Sequence, residues 1–78
     1  MKTKENYTRQ EAGFLSLVSV ALKETPHTFQ GNCAYYSIVN IDFEKKELVY
    51  DIQIDDHLLY YTLVGIAFAH KYTFIENF

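Results

Sequence analysis

Residues 47–55 read Glu-Leu-Val-Tyr-Asp-Ile-Gln-Ile-Asp. Leu48, Tyr50, Ile52 and Ile54 fall on one side of an extended chain. Glu47, Asp51, Gln53 and Asp55 fall on the other, with Val49 the exception. Strict period-two alternation marks a strand with one buried and one wet face. A strand of that kind needs a neighbour in register. Cys33 to Asp42, rich in Tyr, Ile and Val, reads as that neighbour, and Phe43-Glu44-Lys45-Lys46 as the turn between them. With Glu44-Lys45 at the tip, Ile41 faces Leu48, Val39 faces Tyr50, Ser37 faces Ile52 and Tyr35 faces Ile54. Both apolar sets then share one face, as register requires. The opposite face carries Tyr36, Ile38, Asn40, Val49, Asp51 and Gln53, and is less polar than a solvent face should be.

Upstream of the hairpin, residues 1–7 are polar and predicted to fray. Thr8-Arg9-Gln10-Glu11 has the pattern of a capping box. From there Phe14, Leu15, Leu17, Val18, Ala21 and Leu22 fall within an arc of about 160° on a helical wheel, with Ser16, Ser19 and Lys23 opposite. The spacing predicts an amphipathic helix over roughly 9–24, weakened at Gly13 and ended by Pro26, which pushes Thr25 out of the α region. Pro26 to Asn32 reads as a connector closed by the turn signal Gly31-Asn32. Downstream, residues 57–71 support a helix capped by Asp55 or Asp56, or a strand in register with residues 50–52. No polar turn interrupts the run from His57 to His70, which favours the helix. Such a helix is apolar all round and is expected to be buried on more than one side. Tyr72 to Ile75 reads as a last strand. The expected fold is therefore α+β: an N-terminal amphipathic helix packed on an antiparallel β-hairpin, then a second helix and a short C-terminal strand. The alternative is one helix on a three- to four-stranded antiparallel meander.

The chain has 78 residues, which predicts one small domain spanning 1–78. A 9.1 kDa chain buries only about 63% of its unfolded surface, so self-association would add stability that a single core of this size lacks. Cys33 is the only cysteine, which rules out an internal disulfide and suggests a reducing, cytoplasmic setting. Phe14 to Leu22 makes a poor signal peptide, interrupted by Ser16 and Ser19, and Asn6-Tyr7-Thr8 is a sequon without meaning in the cytosol. The longest apolar run, Leu58 to Ala69, is too short to span a bilayer. The net charge is −3, and the middle third is acidic, with Lys45 and Lys46 against Asp42, Glu44, Glu47, Asp51, Asp55 and Asp56. A nucleic-acid binder needs a basic face, and none is visible.

Few constellations point to chemistry. Asp55-Asp56-His57 is the densest polar cluster, but a turn or a helix cap explains it as well as an acid–base group does. His27, Cys33, His57 and His70 are zinc-ligand types without any close ligand spacing. Cys33 with a histidine would make a nucleophile pair, yet Cys33 lies beside Ala34 and Tyr35 in a strand, the setting of an inert thiol. Ser16 and Ser19 lack a nucleophile elbow, and Gly13, Gly31 and Gly65 are too far apart for a phosphate loop. No catalytic residue, metal or cofactor is therefore expected.

The aromatic share is the remaining signal: 17%, with seven Tyr, six Phe and no Trp. Tyrosine favours half-wet surfaces and is enriched at interfaces. The expected function is a small non-enzymatic protein-binding domain acting through an aromatic-rich surface, as a homodimer. Tyr36, Ile38, Val49, Tyr60 and Tyr61 are the candidate partner-contact residues. Two other readings stand beside it: a small-molecule binding domain with a Tyr-lined pocket, and an enzyme whose site is completed across a dimer.

Overall fold

In a computed structural model the chain runs helix, four strands, helix, strand. The structure describes residues 7–53 and 55–78. The elements are α1 (Arg9–Leu22), β1 (Thr28–Gln30), β2 (Cys33–Tyr35), β3 (Val39–Asp42), β4 (Glu47–Tyr50), α2 (His57–Ala69) and β5 (Thr73–Glu76). The five strands form one sheet in the order β1-β2-β3-β4-β5. The first four make an antiparallel meander, and β5 runs parallel to β4. The parallel pair follows from α2: a helical crossover returns the chain in its original direction. The α+β class holds, with the mixed sheet larger than a hairpin.

Both helices begin and end on the groups their sequences supply. Thr8 and Glu11 form the reciprocal capping box. Asp56 caps α2 by accepting the Leu59 amide at 3.0 Å. Each helix closes with a lysine in the left-handed region, Lys23 (φ 59°) and Lys71 (φ 63°). At each end the lysine amide reaches back three residues, Lys23 to the Val20 carbonyl and Lys71 to Phe68, and the next amide reaches back five, Glu24 to the Ser19 carbonyl and Tyr72 to Ala67. This double bonding is the Schellman closure. It stops α1 at Leu22, before Pro26 can act.

The expected register holds over half its length. Ile41 faces Leu48 and Val39 faces Tyr50. Beyond that it fails, because Cys33–Asp42 is two strands rather than one. The Tyr36 amide donates to the Val39 carbonyl at 2.8 Å, which turns the chain at residues 36–39. Glu24 holds the turn through the Ser37 amide (3.0 Å) and hydroxyl (2.6 Å). Crossing the turn flips the parity, so Ala34 and Tyr36 join Val39 and Ile41 in the core, while Tyr35 pairs with Thr28 and Asn40 on the other face. Losing residues 36–38 leaves nothing for Ile52 to pair with. β4 stops at Tyr50, and Ile52 is 49% exposed instead of buried. The expected partner position Ile54 lies outside the described residues. The connector before β2 is a strand as well: Gly31, at φ +60°, opens a two-residue hairpin loop joining β1 to β2.

The core lies between one face of the sheet and both helices. Phe14 and Val18 from α1 and Leu63 and Ala67 from α2 cover Ala34, Val39, Ile41, Leu48 and Tyr50. On the far face, Tyr35, Asn40, Val49 and Ile75 line up across neighbouring strands. Asp51 ties that face together, accepting from the side-chain amides of Asn40 and Asn77.

Candidate functional site

The second helix carries the features that the core does not explain. Its sequence, His-Leu-Leu-Tyr-Tyr-Thr-Leu-Val-Gly-Ile-Ala-Phe-Ala, contains no Asp, Glu, Lys or Arg. Leu63 and Ala67 face the core. Leu58, Tyr61, Gly65 and Phe68 recur at steps of three and four and so share the opposite face. Leu58 is 80% exposed, Tyr61 68% and Phe68 84%. The expectation that this helix is buried on more than one side fails here: α1 and the sheet cover its inner side, and among the described residues nothing covers the outer ridge. Gly65 sits in the ridge, and a methyl group added there would meet nothing within 4 Å. Packing among the described residues gives no reason for glycine at this position.

A cleft of about 260 Å³ opens at the start of the same helix, lined by Tyr50, Gln53, His57, Tyr60, Tyr61, Glu76 and Phe78. Tyr50 is supplied by the end of β4, Glu76 by its parallel neighbour at the end of β5, and His57, Tyr60 and Tyr61 by the first turns of α2. Its aromatic rings stand nearly at right angles. Tyr50 and Tyr60 are 5.6 Å apart between centroids at 88°, and Tyr60 and Tyr61 5.3 Å apart at 88°. Phe78 adds a further wall 6.0 Å from Tyr50. The Tyr60 hydroxyl donates to Glu76 Oε1, and that bond raises the tyrosine's pKa. Tyr50 is only 1% exposed, and among the described residues its hydroxyl has no hydrogen-bond partner. Burial first, then the nearby carboxylates of Asp56 and Glu76, raise its pKa, so it stays protonated.

A larger hollow of about 630 Å³ lies where the start of α1 meets the end of α2. Thr8 and Glu11 line it, and both are engaged in the capping box. Tyr72, also in its wall, has its pKa pushed up to about 12 by burial and then by Glu11 and Asp42.

The five candidate contact residues do not share a surface. Tyr61 lies on the exposed ridge, and Tyr60 is half-buried in the cleft. Val49 is half-buried on the far face of the sheet, and Ile38 sits half-buried in the β2–β3 turn. Tyr36 is a core residue: it is 6% exposed, and its hydroxyl lies 2.7 Å from Ser19 Oγ and donates to the Leu15 carbonyl at 3.2 Å. The parity flip at residues 36–39 moves it inside. Leu58 and Phe68 were the missed members of the surface. Their spacing relative to Tyr61 was legible, but the wheel of an all-apolar helix does not say which side faces out.

The polar candidates scatter. His27 stands beside Ser37 and Glu24, Cys33 lies in β2, and His57 and His70 sit at opposite ends of α2. Among the described residues no group of three His, Cys, Asp or Glu side chains could hold a metal ion. Burial, then the charge of Asp42, pushes the Cys33 thiol pKa up, opposite to the shift that activates a nucleophile. In Asp55-Asp56-His57, Asp56 is occupied as the α2 cap. Among the described residues no helix is long and apolar enough to cross a membrane. Comparison of the chain with protein-family models, curated proteins and solved structures found no match.

Proposed function

We propose that this protein is a small protein-binding domain that pairs with a second copy of itself through the outer ridge of α2. The observation that carries the reading is the exposure of Leu58, Tyr61 and Phe68 on one face of a helix without a charged residue. Contiguous apolar surface of this kind on a small soluble domain marks a binding surface. The ridge offers no charge for a polar partner to pair with, so its complement is another uncharged apolar face. A second α2 is such a face.

Gly65 supports the same occupant. Glycine in a helix interior costs about 1 kcal/mol relative to alanine, and among the described residues no close contact requires it. In a two-fold pair each patch meets its own copy. A notch between Tyr61 and Phe68 lets the two helix backbones approach closely. A specific contact of this type buries roughly 600–800 Å² per chain.

Sedimentation equilibrium over a range of concentrations tests the reading. The wild-type chain is expected to move between monomer and dimer, and Phe68→Glu or Leu58→Glu to stay monomeric while remaining folded. Gly65→Ala separates the helix from the pair: it is expected to strengthen α2 yet weaken association. A 9.1 kDa species at every concentration would overturn the homodimer.

A further inference from the structure

The cleft beneath the first turns of α2 has a chemistry of its own, independent of the ridge. Its lining includes one carboxylate, Glu76, and four aromatic rings, with no Lys or Arg among the described residues. A hollow with a carboxylate in its wall, the His57 imidazole at its rim as the one basic group among the described lining residues, and rings around it selects a cation, because ring faces carry the negative end of the aromatic quadrupole.

The Tyr50 hydroxyl narrows the class further. A buried hydroxyl without a partner among the described residues is costly, and this one belongs to a cleft-lining residue whose register partner on the parallel strand is Glu76. A quaternary ammonium has no N–H to give it. A primary ammonium has three. Tyr60 engages one oxygen of Glu76, and the carboxylate can accept from a second donor.

We propose that this cleft binds a primary alkylammonium group: Glu76 and the Tyr50 hydroxyl accept its N–H bonds, and Tyr60, Tyr61 and Phe78 enclose its carbon stem. The volume of about 260 Å³ suits a stem of a few methylenes rather than a drug-sized ligand. The same chemistry is presented by a free small amine and by a lysine side chain on another protein.

The Tyr7 hydroxyl, also without a partner among the described residues, carries no comparable site. It packs against Phe29 and Phe43 and adjoins residues 1–6, which lie outside the described structure.

Tyrosine fluorescence and amide chemical shifts, read during titration with n-butylammonium chloride at low ionic strength, test the proposal. Saturable binding is expected, with n-butanol, of similar size and uncharged, about tenfold weaker or more, the worth of a charge-assisted hydrogen bond. Glu76→Gln, which can still accept from Tyr60, is expected to lose about tenfold in affinity. Tyr50→Phe keeps the ring and removes the hydroxyl. It is expected to weaken n-butylammonium binding several-fold while holding or raising the melting temperature. Tetramethylammonium, without N–H, is expected to bind more weakly than n-butylammonium. A parallel titration with N-acetyl-lysine methylamide separates the two sources: tighter binding than n-butylammonium assigns the site to a protein lysine, and weaker binding to a free amine. Equal responses to n-butylammonium and n-butanol, or unchanged affinity in both Glu76→Gln and Tyr50→Phe, would overturn the assignment.

Discussion

Phe14 and Tyr72 stack face to face, with centroids 4.0 Å apart and planes 14° from parallel. The contact joins the first helix to the residue that leads into the last strand, across most of the chain. It is one contact that ties α1 to the parallel end of the sheet, and Phe14 also meets the His70 ring at 5.2 Å.

Phe14 is therefore expected to be among the most sensitive positions. It is fully buried, and Phe14→Ala removes both ring contacts and leaves a cavity, at a cost of about 3–5 kcal/mol. For a domain this small that approaches its whole stability. Ile52→Ala provides the contrast: half-exposed beyond the end of β4, it is expected to cost less than about 1 kcal/mol. Thermal melts of the two variants check the core assignment directly.

Tyr36 anchors the β2–β3 turn to α1 through its hydroxyl, shared with Ser19 and the Leu15 carbonyl. Tyr36→Phe keeps the packing and deletes these bonds, leaving the acceptors to find other partners. The expected loss is about 1 kcal/mol. Because the Tyr36 hydroxyl is buried, its pKa is raised, and a spectrophotometric titration of Tyr36→Phe should lose a late-titrating tyrosine.

The left-handed lysines at the helix ends are an opportunity for stabilisation. A side chain in that region costs about 1–2 kcal/mol relative to glycine, partly offset by the greater freedom of glycine in the unfolded chain. Lys71→Gly and Lys23→Gly are each expected to raise stability by up to about 1 kcal/mol, read as a higher denaturant midpoint with an unchanged slope.

Glu24 sets a pH dependence. Its hydrogen bonds from the Ser37 side chain and backbone lower its pKa. A carboxylate with a lowered folded-state pKa contributes fully above the ordinary carboxylate range, and the contribution is lost as pH falls through the lowered value. Glu24→Gln is expected to reduce stability at neutral pH and to lessen the decline toward acid. Melting temperatures of the two proteins are expected to converge as pH falls across the acid range.

What the sequence determined by itself was local. The capping box at Thr8 and Glu11 was legible because both partners lie within one turn. So was the helix after Asp56: its cap and its unbroken apolar run need no distant contact. The central pairs Ile41–Leu48 and Val39–Tyr50 were legible because a tight turn fixes register on either side of itself. Tertiary structure decided the rest. Alternation from Asp51 to Asp55 says that a strand can form, and a strand forms only where a partner edge continues. Glu24, far off in sequence, pins the Ser37 turn that ends that edge. The place of the last strand was likewise invisible: a helical crossover sets its direction, but whether it joins the β4 edge or the far β1 edge depends on the side to which α2 carries the chain. The candidate sites fell on the same divide. The tyrosines and Glu76 were in plain view as residue types, but the cleft exists only because β4 and β5, brought side by side, set Tyr50 and Glu76 beneath the start of α2. The ridge of Leu58, Tyr61 and Phe68 was spaced correctly in the sequence, and only packing against α1 and the sheet determined that it faces outward, because an apolar helix has no polar side to mark its solvent face.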